Sequence, residues 1–133
     1  MRDLIYAVVE RFYEKATKDV LIGYHFERFS DPKVLHHHLE RITSFWEMQF
    51  TGNMTKPLEG NPFRLLFTHL QLNIHRGELG RWVVLFNDTL NELENALSSE
   101  ELESLKPLIA EWKKRIDFFK ERFESHPQMF NKN

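Results

Sequence analysis

His69 lies in an apolar stretch, Phe63-Arg64-Leu65-Leu66-Phe67-Thr68-His69-Leu70-Gln71-Leu72. A short polar break at Asn73 to Gly77 separates it from a second apolar segment, Arg81-Trp82-Val83-Val84-Leu85-Phe86. A lone histidine in an apolar wall has two readings. It is a core histidine whose ring nitrogens find backbone partners, or the wall faces a flat apolar cofactor and the imidazole ligates its iron. Three other polar-tipped residues bear on the choice: Tyr13, His38 and Trp82. Each alone also reads as core, since a buried tyrosine or tryptophan commonly fills a core while its polar tip finds a carbonyl. The indole of Trp82 is a donor only.

The elements that must position these groups are helices. Helical periodicity is strong along the chain and strand patterning is weak, so the sequence reads as all-α. Leu4, Ile5, Val8, Val9, Phe12 and Tyr13 form a stripe on a first helix, Arg2 to Lys18, opposite Glu10, Arg11, Glu14 and Lys15. The pattern breaks at Gly23, and an aromatic segment follows with Tyr24, His25, Phe26 and Phe29. Ser30-Asp31-Pro32 opens a second helix, Pro32 to Phe50, with Asp31 as cap and Pro32 as first helical residue. Leu35, His38, Leu39, Ile42, Phe45, Trp46 and Gln49 are expected on its inner side, and Gly52 closes it.

A loop from Thr51 to Asn61 leads to a short third helix, Phe63 to Leu72. A fourth runs from Gly77 to Leu97, with Trp82, Leu85, Phe86, Thr89, Leu90 and Leu93 inward. Ser98 and Glu101 have the form of a capping box for the last helix, where Leu105, Ile109, Trp112, Ile116, Phe119 and Phe123 keep a three-four spacing. Pro107 falls early in that helix, where a bend is its expected effect. Residues 1–126 read as one domain and residues 127–133 as a disordered tail.

Composition narrows the chemistry. The 133 residues include no cysteine, which excludes disulfides, thiolate metal sites and a cysteine nucleophile, and fits a cytoplasmic setting. A formal charge of −2 supplies no global field for nucleic acid or an anionic membrane. No apolar run is long enough to cross a bilayer and no leader-like segment begins the sequence. Twelve Phe, three Trp and three Tyr could fill a core or line a cavity for a flat ligand. His36-His37-His38 is not a chelating triad, because helix neighbours point about 100° apart. Glu92, Glu94, Glu100, Glu101 and Glu103 read as a solvated helix end and start rather than as paired catalytic carboxylates. No Ser-His-Asp signature, phosphate loop or glycine-rich dinucleotide turn is present.

Order and spacing then carry a resemblance. Phe12-Tyr13-Glu14-Lys15 resembles the B-helix stretch of the group III truncated (2/2) haemoglobins, with its distal tyrosine. His38 with Phe45-Trp46 resembles the E helix of that group, His69-Leu70-Gln71-Leu72 its proximal-histidine stretch, and Arg81-Trp82-Val83-Val84-Leu85-Phe86 its G helix. The resemblance runs from Phe12 to Thr89, and the last helix is similar to a globin H helix. The run from Gly60-Asn61-Pro62 to His69 is longer than the group's pattern, and His75 is the rival ligand.

The resemblance implies a globin-like 2-over-2 helical sandwich holding haem b, iron protoporphyrin IX, with His69 as the iron ligand. Dioxygen, nitric oxide or carbon monoxide would bind beside Tyr13, His38 and Trp82. Phe26, Phe29, Leu35, Ile42, Phe45, Leu66, Phe67, Leu72 and Phe86 are the candidate walls, and Arg41, His75 and Arg76 the candidate partners of the haem propionates. Each donor aimed at a ligand with partial negative charge is expected to contribute on the order of 1–3 kcal/mol. With two donors, Tyr13 and Trp82, release is expected to be slow, which suits holding or reacting oxygen more than delivering it. Turnover as a nitric oxide dioxygenase or peroxidase would need a separate reductase as partner. The rival from another class is a haem-free globin-fold module for signalling or assembly. In either reading the chain is expected to be a monomer or a homodimer.

If His69 is the iron ligand, His69→Ala loses most hemin affinity and stays helical by circular dichroism, while His75→Ala retains hemin. The reverse pattern in a hemin titration would transfer the assignment to His75.

Overall fold

A computed structural model describes residues 1–53, 55, 56 and 75–125, together with the backbone alone of Arg76. These residues fall in two compact units, Met1–Phe67 and Thr68–Asn133. The protein is all-α: among the described residues every regular element is a helix. None of those helices is long and apolar enough to cross a membrane. The expected helix Phe63 to Leu72, the loop at Gly60-Asn61-Pro62 and the tail after Ser125 lie outside the described residues.

In the first unit, helix α1 spans Arg2–Ala16, a 3-10 helix spans Gly23–Ser30 and helix α2 spans Pro32–Thr51. Helix α2 packs on both of the others. The apolar stripe of α1 is buried at Ile5, Val8, Val9, Phe12, Tyr13 and Ala16, as its spacing requires. The helix stops two residues short of Lys18. There Asp19 turns the chain, its carboxylate accepting from the Leu21 and Ile22 amides at 2.9 and 3.2 Å. Gly23 then passes so close to the end of α1 that a Cβ would sit 3.0 Å from the Thr17 carbonyl oxygen. The missing side chain at Gly23 thus permits the approach that starts the aromatic 3-10 turn.

Both ends of α2 follow from their residues. The Asp31 carboxylate accepts from the Lys33 amide at 2.9 Å, with Pro32 in the first helical position. Gly52 adopts φ 78° and donates its N–H to the Met48 carbonyl at 2.9 Å. The inner face of α2 differs from the apolar stripe, however. Leu39, Thr43, Ser44, Phe45, Trp46 and Glu47 are buried, whereas Leu35, His38, Ile42 and Gln49 are half-buried.

Polar bonding causes the rotation. Thr43 returns its hydroxyl to the Leu39 carbonyl at 2.7 Å. Arg2 donates to Ser44 Oγ at 3.0 Å, to Glu47 Oε1 at 3.2 Å and to Glu40 Oε2 at 2.9 Å. Thr55 donates its amide and hydroxyl to the two Glu47 oxygens, each at 2.6 Å. Lys56 Nζ closes the cluster on Glu40 at 3.2 Å.

In the second unit, helix α3 spans Arg76–Ala96 and packs on helix α4, Ser99–Ser125. Leu79, Val83, Phe86 and Leu90 are buried on α3, and Ile109, Trp112, Ile116 and Phe123 on α4. The Phe86 and Trp112 rings meet at 5.7 Å, and Lys113 Nζ donates to Asn91 and Glu94 at 2.8 and 2.9 Å. The capping box at Ser98 is formed: the Glu101 amide donates to Ser98 Oγ at 3.2 Å and Glu101 Oε1 accepts from the Ser98 amide at 3.3 Å. Helix α4 continues through Pro107, near its exposed start.

The Arg2 cluster yields an acid-sensitivity prediction. Burial pushes the Glu47 carboxyl up, but the Thr55 bonds and Arg2 outweigh it, so the group sits below its ordinary value of 4.5. The Arg2 hydrogen bond chiefly holds Glu40 low as well. A depressed folded value means the contribution is complete above pH 4.5 and is lost as pH falls through that lower value. Glu47→Ala is expected to cost about 2–3 kcal/mol at pH 7. Urea melts should show that deficit shrinking below pH 4.5.

Candidate functional site

The residues with the strongest chemical expectation in the first unit converge. Tyr13 is on the last turn of α1 and is 9% exposed. Its Oη lies 2.7 Å from His38 Nε2 on α2, a contact between residues 25 apart in the chain. The α1–α2 packing that the buried stripe dictates is what brings them together.

Aromatic rings surround the pair. Phe12, Phe26, Phe29 and His38 all meet the Tyr13 ring edge-on, with centroids at 5.4, 5.4, 5.7 and 5.2 Å. His38 also stacks on Phe29, centroids 4.3 Å apart and planes 27° from parallel. The Arg28 guanidinium carbon sits 4.7 Å from the Phe29 centroid. Edge-on contacts of this kind favour both partners through the ring quadrupole, and the cation adds attraction to the Phe29 ring.

The electrostatics keep Tyr13 protonated. Burial pushes its hydroxyl well above the ordinary phenol range, and the positive charge of Arg28 offsets only part of that. The phenol therefore stays neutral at physiological pH. One hydrogen lies between Oη and Nε2. With Nε2 bare, Tyr13 donates to it. With Nε2 protonated, His38 donates to Oη, and the hydrogen of Tyr13 is free to turn toward another acceptor. The pair thus couples the state of an imidazole to the donor capacity of a buried phenol.

The remaining site expectations divide. Phe26 and Ile42 are half-buried and Phe45 is buried, its ring edge-on to Trp46 at 5.4 Å. Leu35, His38 and Ile42 share one side of α2 at three- and four-residue spacing. Arg41 is exposed on α2. His36 and His37 are exposed, and the Tyr6 hydroxyl meets His36 Nδ1 at 3.1 Å, so His38 alone of the three histidines turns toward the interior. In the second unit, Trp82 is half-buried on α3 and tilted against buried Phe86 at 5.8 Å.

His75 is the residue that caps α3, and its amide donates to the buried Glu78 carboxylate at 2.7 Å. Arg76 is the first residue of that helix. Leu66, Phe67, His69 and Leu72 lie outside the described residues. Among the described residues no three or more of His, Cys, Asp and Glu group so as to hold a metal ion.

Three contributors carry little signal in the sequence. At Arg28 the only cue is that it precedes Phe29. Glu47 and Ser44 have no local cue, because their partner, Arg2, is more than forty positions away. Comparison with protein-family models, with curated proteins and with solved structures finds no match to the chain.

Proposed function

We propose that this chain is a haem protein of the truncated, 2-over-2 globin type. In this reading it carries haem b on His69 and takes up dioxygen, nitric oxide or carbon monoxide in a pocket bordered by Tyr13 and His38. The observation that carries the reading is the 2.7 Å contact between Tyr13 and His38 inside a ring of aromatic side chains. The resemblance expects a tyrosine from one helix and a histidine from another to border one distal site, and the Tyr13 and His38 side chains lie in contact across 25 residues of sequence.

The donor chemistry fits a flat apolar group. Leu35, His38 and Ile42 are half-buried along one side of α2, and buried Phe45 continues the line. When bound, haem iron supplies the site at which a diatomic ligand is held. The chain supplies the rest. Tyr13 is kept neutral by burial and offers an O–H, while His38 decides through its own hydrogen whether that O–H is engaged. Tyr13 is buried, which limits the competition of bulk water for its hydroxyl. The resemblance adds Trp82 as a second donor, His69 as iron ligand and Arg41, His75 and Arg76 as propionate partners. With the phenol donor in place the protein would hold its ligand firmly, a property suited to oxygen storage or to nitric oxide chemistry in the cytoplasm. Turnover of either kind would draw electrons from a separate reductase.

The test is visible absorption of the purified protein as hemin is added, then reduced and exposed to carbon monoxide. A sharp Soret band that shifts with carbon monoxide is expected, and Tyr13→Phe should release dioxygen on the order of tenfold faster. A broad band like that of free hemin would defeat the reading and leave a haem-free helical module.

A further inference from the structure

We infer that Phe29 is a positioning residue, whose ring holds the His38 imidazole so that Nε2 stays on the Tyr13 hydroxyl. The pair could in principle be a passing contact. An imidazole on a half-buried helix face has two soft side-chain torsions, and a rotation about either would carry Nε2 away from Oη. Phe29 removes that freedom from one side. It is 5% exposed, so its own ring is fixed by packing. It lies nearly parallel to the imidazole at 4.3 Å and 27°, and edge-on to Tyr13 at 5.7 Å and 73°. One ring therefore touches both members of the pair, in the two geometries that aromatic pairs favour.

The local sequence explains why Phe29 can do this. It sits on the last turn of the 3-10 helix, one residue before Ser30 and two before the Asp31 cap of α2. The helix that carries His38 thus begins almost at Phe29, and capping ties the two together. Arg28 over the Phe29 ring at 4.7 Å anchors the same turn. Phe26, by contrast, meets Tyr13 at 5.4 Å and is half-buried. It borders one member of the pair in an edge-on contact, whereas Phe29 stacks on the other member as well.

What the positioned pair acts on rests on the haem reading, but the clamp itself does not. It is therefore tested on the full chain without added hemin, so that its failure and a failed Soret titration are separate results. The readout is the hydrogen shared between Tyr13 Oη and His38 Nε2, followed by proton NMR as an exchange-protected downfield resonance correlated with the His38 ring. Wild type should show it and Tyr13→Phe should lack it. Phe29→Met and Phe29→Leu keep an apolar side chain but no ring plane. In whichever of them stays helical by circular dichroism, the resonance should be lost to solvent exchange. Phe29→Tyr, which restores the ring, should restore the resonance. A protected resonance persisting in a folded Phe29→Met or Phe29→Leu protein, or absent from wild type, would overturn the assignment.

Discussion

A phenol hydroxyl buried among aromatic rings must find a polar partner, and Tyr13 finds His38. Leaving such a group unpaired costs about 1–3 kcal/mol, while a made bond contributes roughly 1 kcal/mol net. The asymmetry is the point. The bond adds little to stability, yet an arrangement of α1 and α2 that failed to make it would be penalised more heavily. The crossing of the two helices is thereby narrowed to those that put Oη on Nε2, at 2.7 Å. The short 3-10 segment must then lay Phe26 and Phe29 against the pair, and Gly23 is the residue that lets it begin close enough.

The other end of the α1–α2 contact is held by charge. Arg2 reaches Ser44, Glu47 and Glu40, and Thr55 and Lys56 complete the coordination of the two carboxylates. Glu47 is 5% exposed, and a carboxylate so placed would be expensive without partners. It accepts from Arg2 and twice from Thr55, so its charge is satisfied. These two polar fastenings have different consequences. The Arg2 cluster is saturated and serves cohesion. The Tyr13–His38 bond holds a single hydrogen that can be placed either way, which leaves a donor to be redirected.

Much of this was legible in the sequence where the cause is local. The Asp31-Pro32 start, the Gly52 stop and the Ser98–Glu101 box are short-range signals, and each forms the expected hydrogen bonds. The stripe of α1 was equally clear, because its buried residues are apolar. On α2 apolar spacing alone put Leu35, His38, Ile42 and Gln49 too far inside. The buried sector instead runs through Thr43, Ser44 and Glu47, whose burial is explained by hydrogen bonds and not by hydropathy. No single-chain pattern announces that Arg2 lies beside Glu47. The same limit applies to the clamp: Phe29 could be read as a wall, but its parallel contact with His38 depends on a tertiary turn. The convergence of Tyr13 and His38 follows from helical placement, since each lies at the inward side of its helix, but the direct contact between them does not follow from spacing.

If haem is bound as proposed, the Tyr13 hydrogen faces the ligand held at its iron and His38 controls its availability. The infrared C–O stretch of the reduced, hemin-loaded protein under carbon monoxide reads the field at that ligand directly. A haem carbonyl band that moves to higher frequency when Tyr13→Phe removes the donor is the expected result. A band that Tyr13→Phe leaves unmoved, or the lack of any haem carbonyl band, would contradict it.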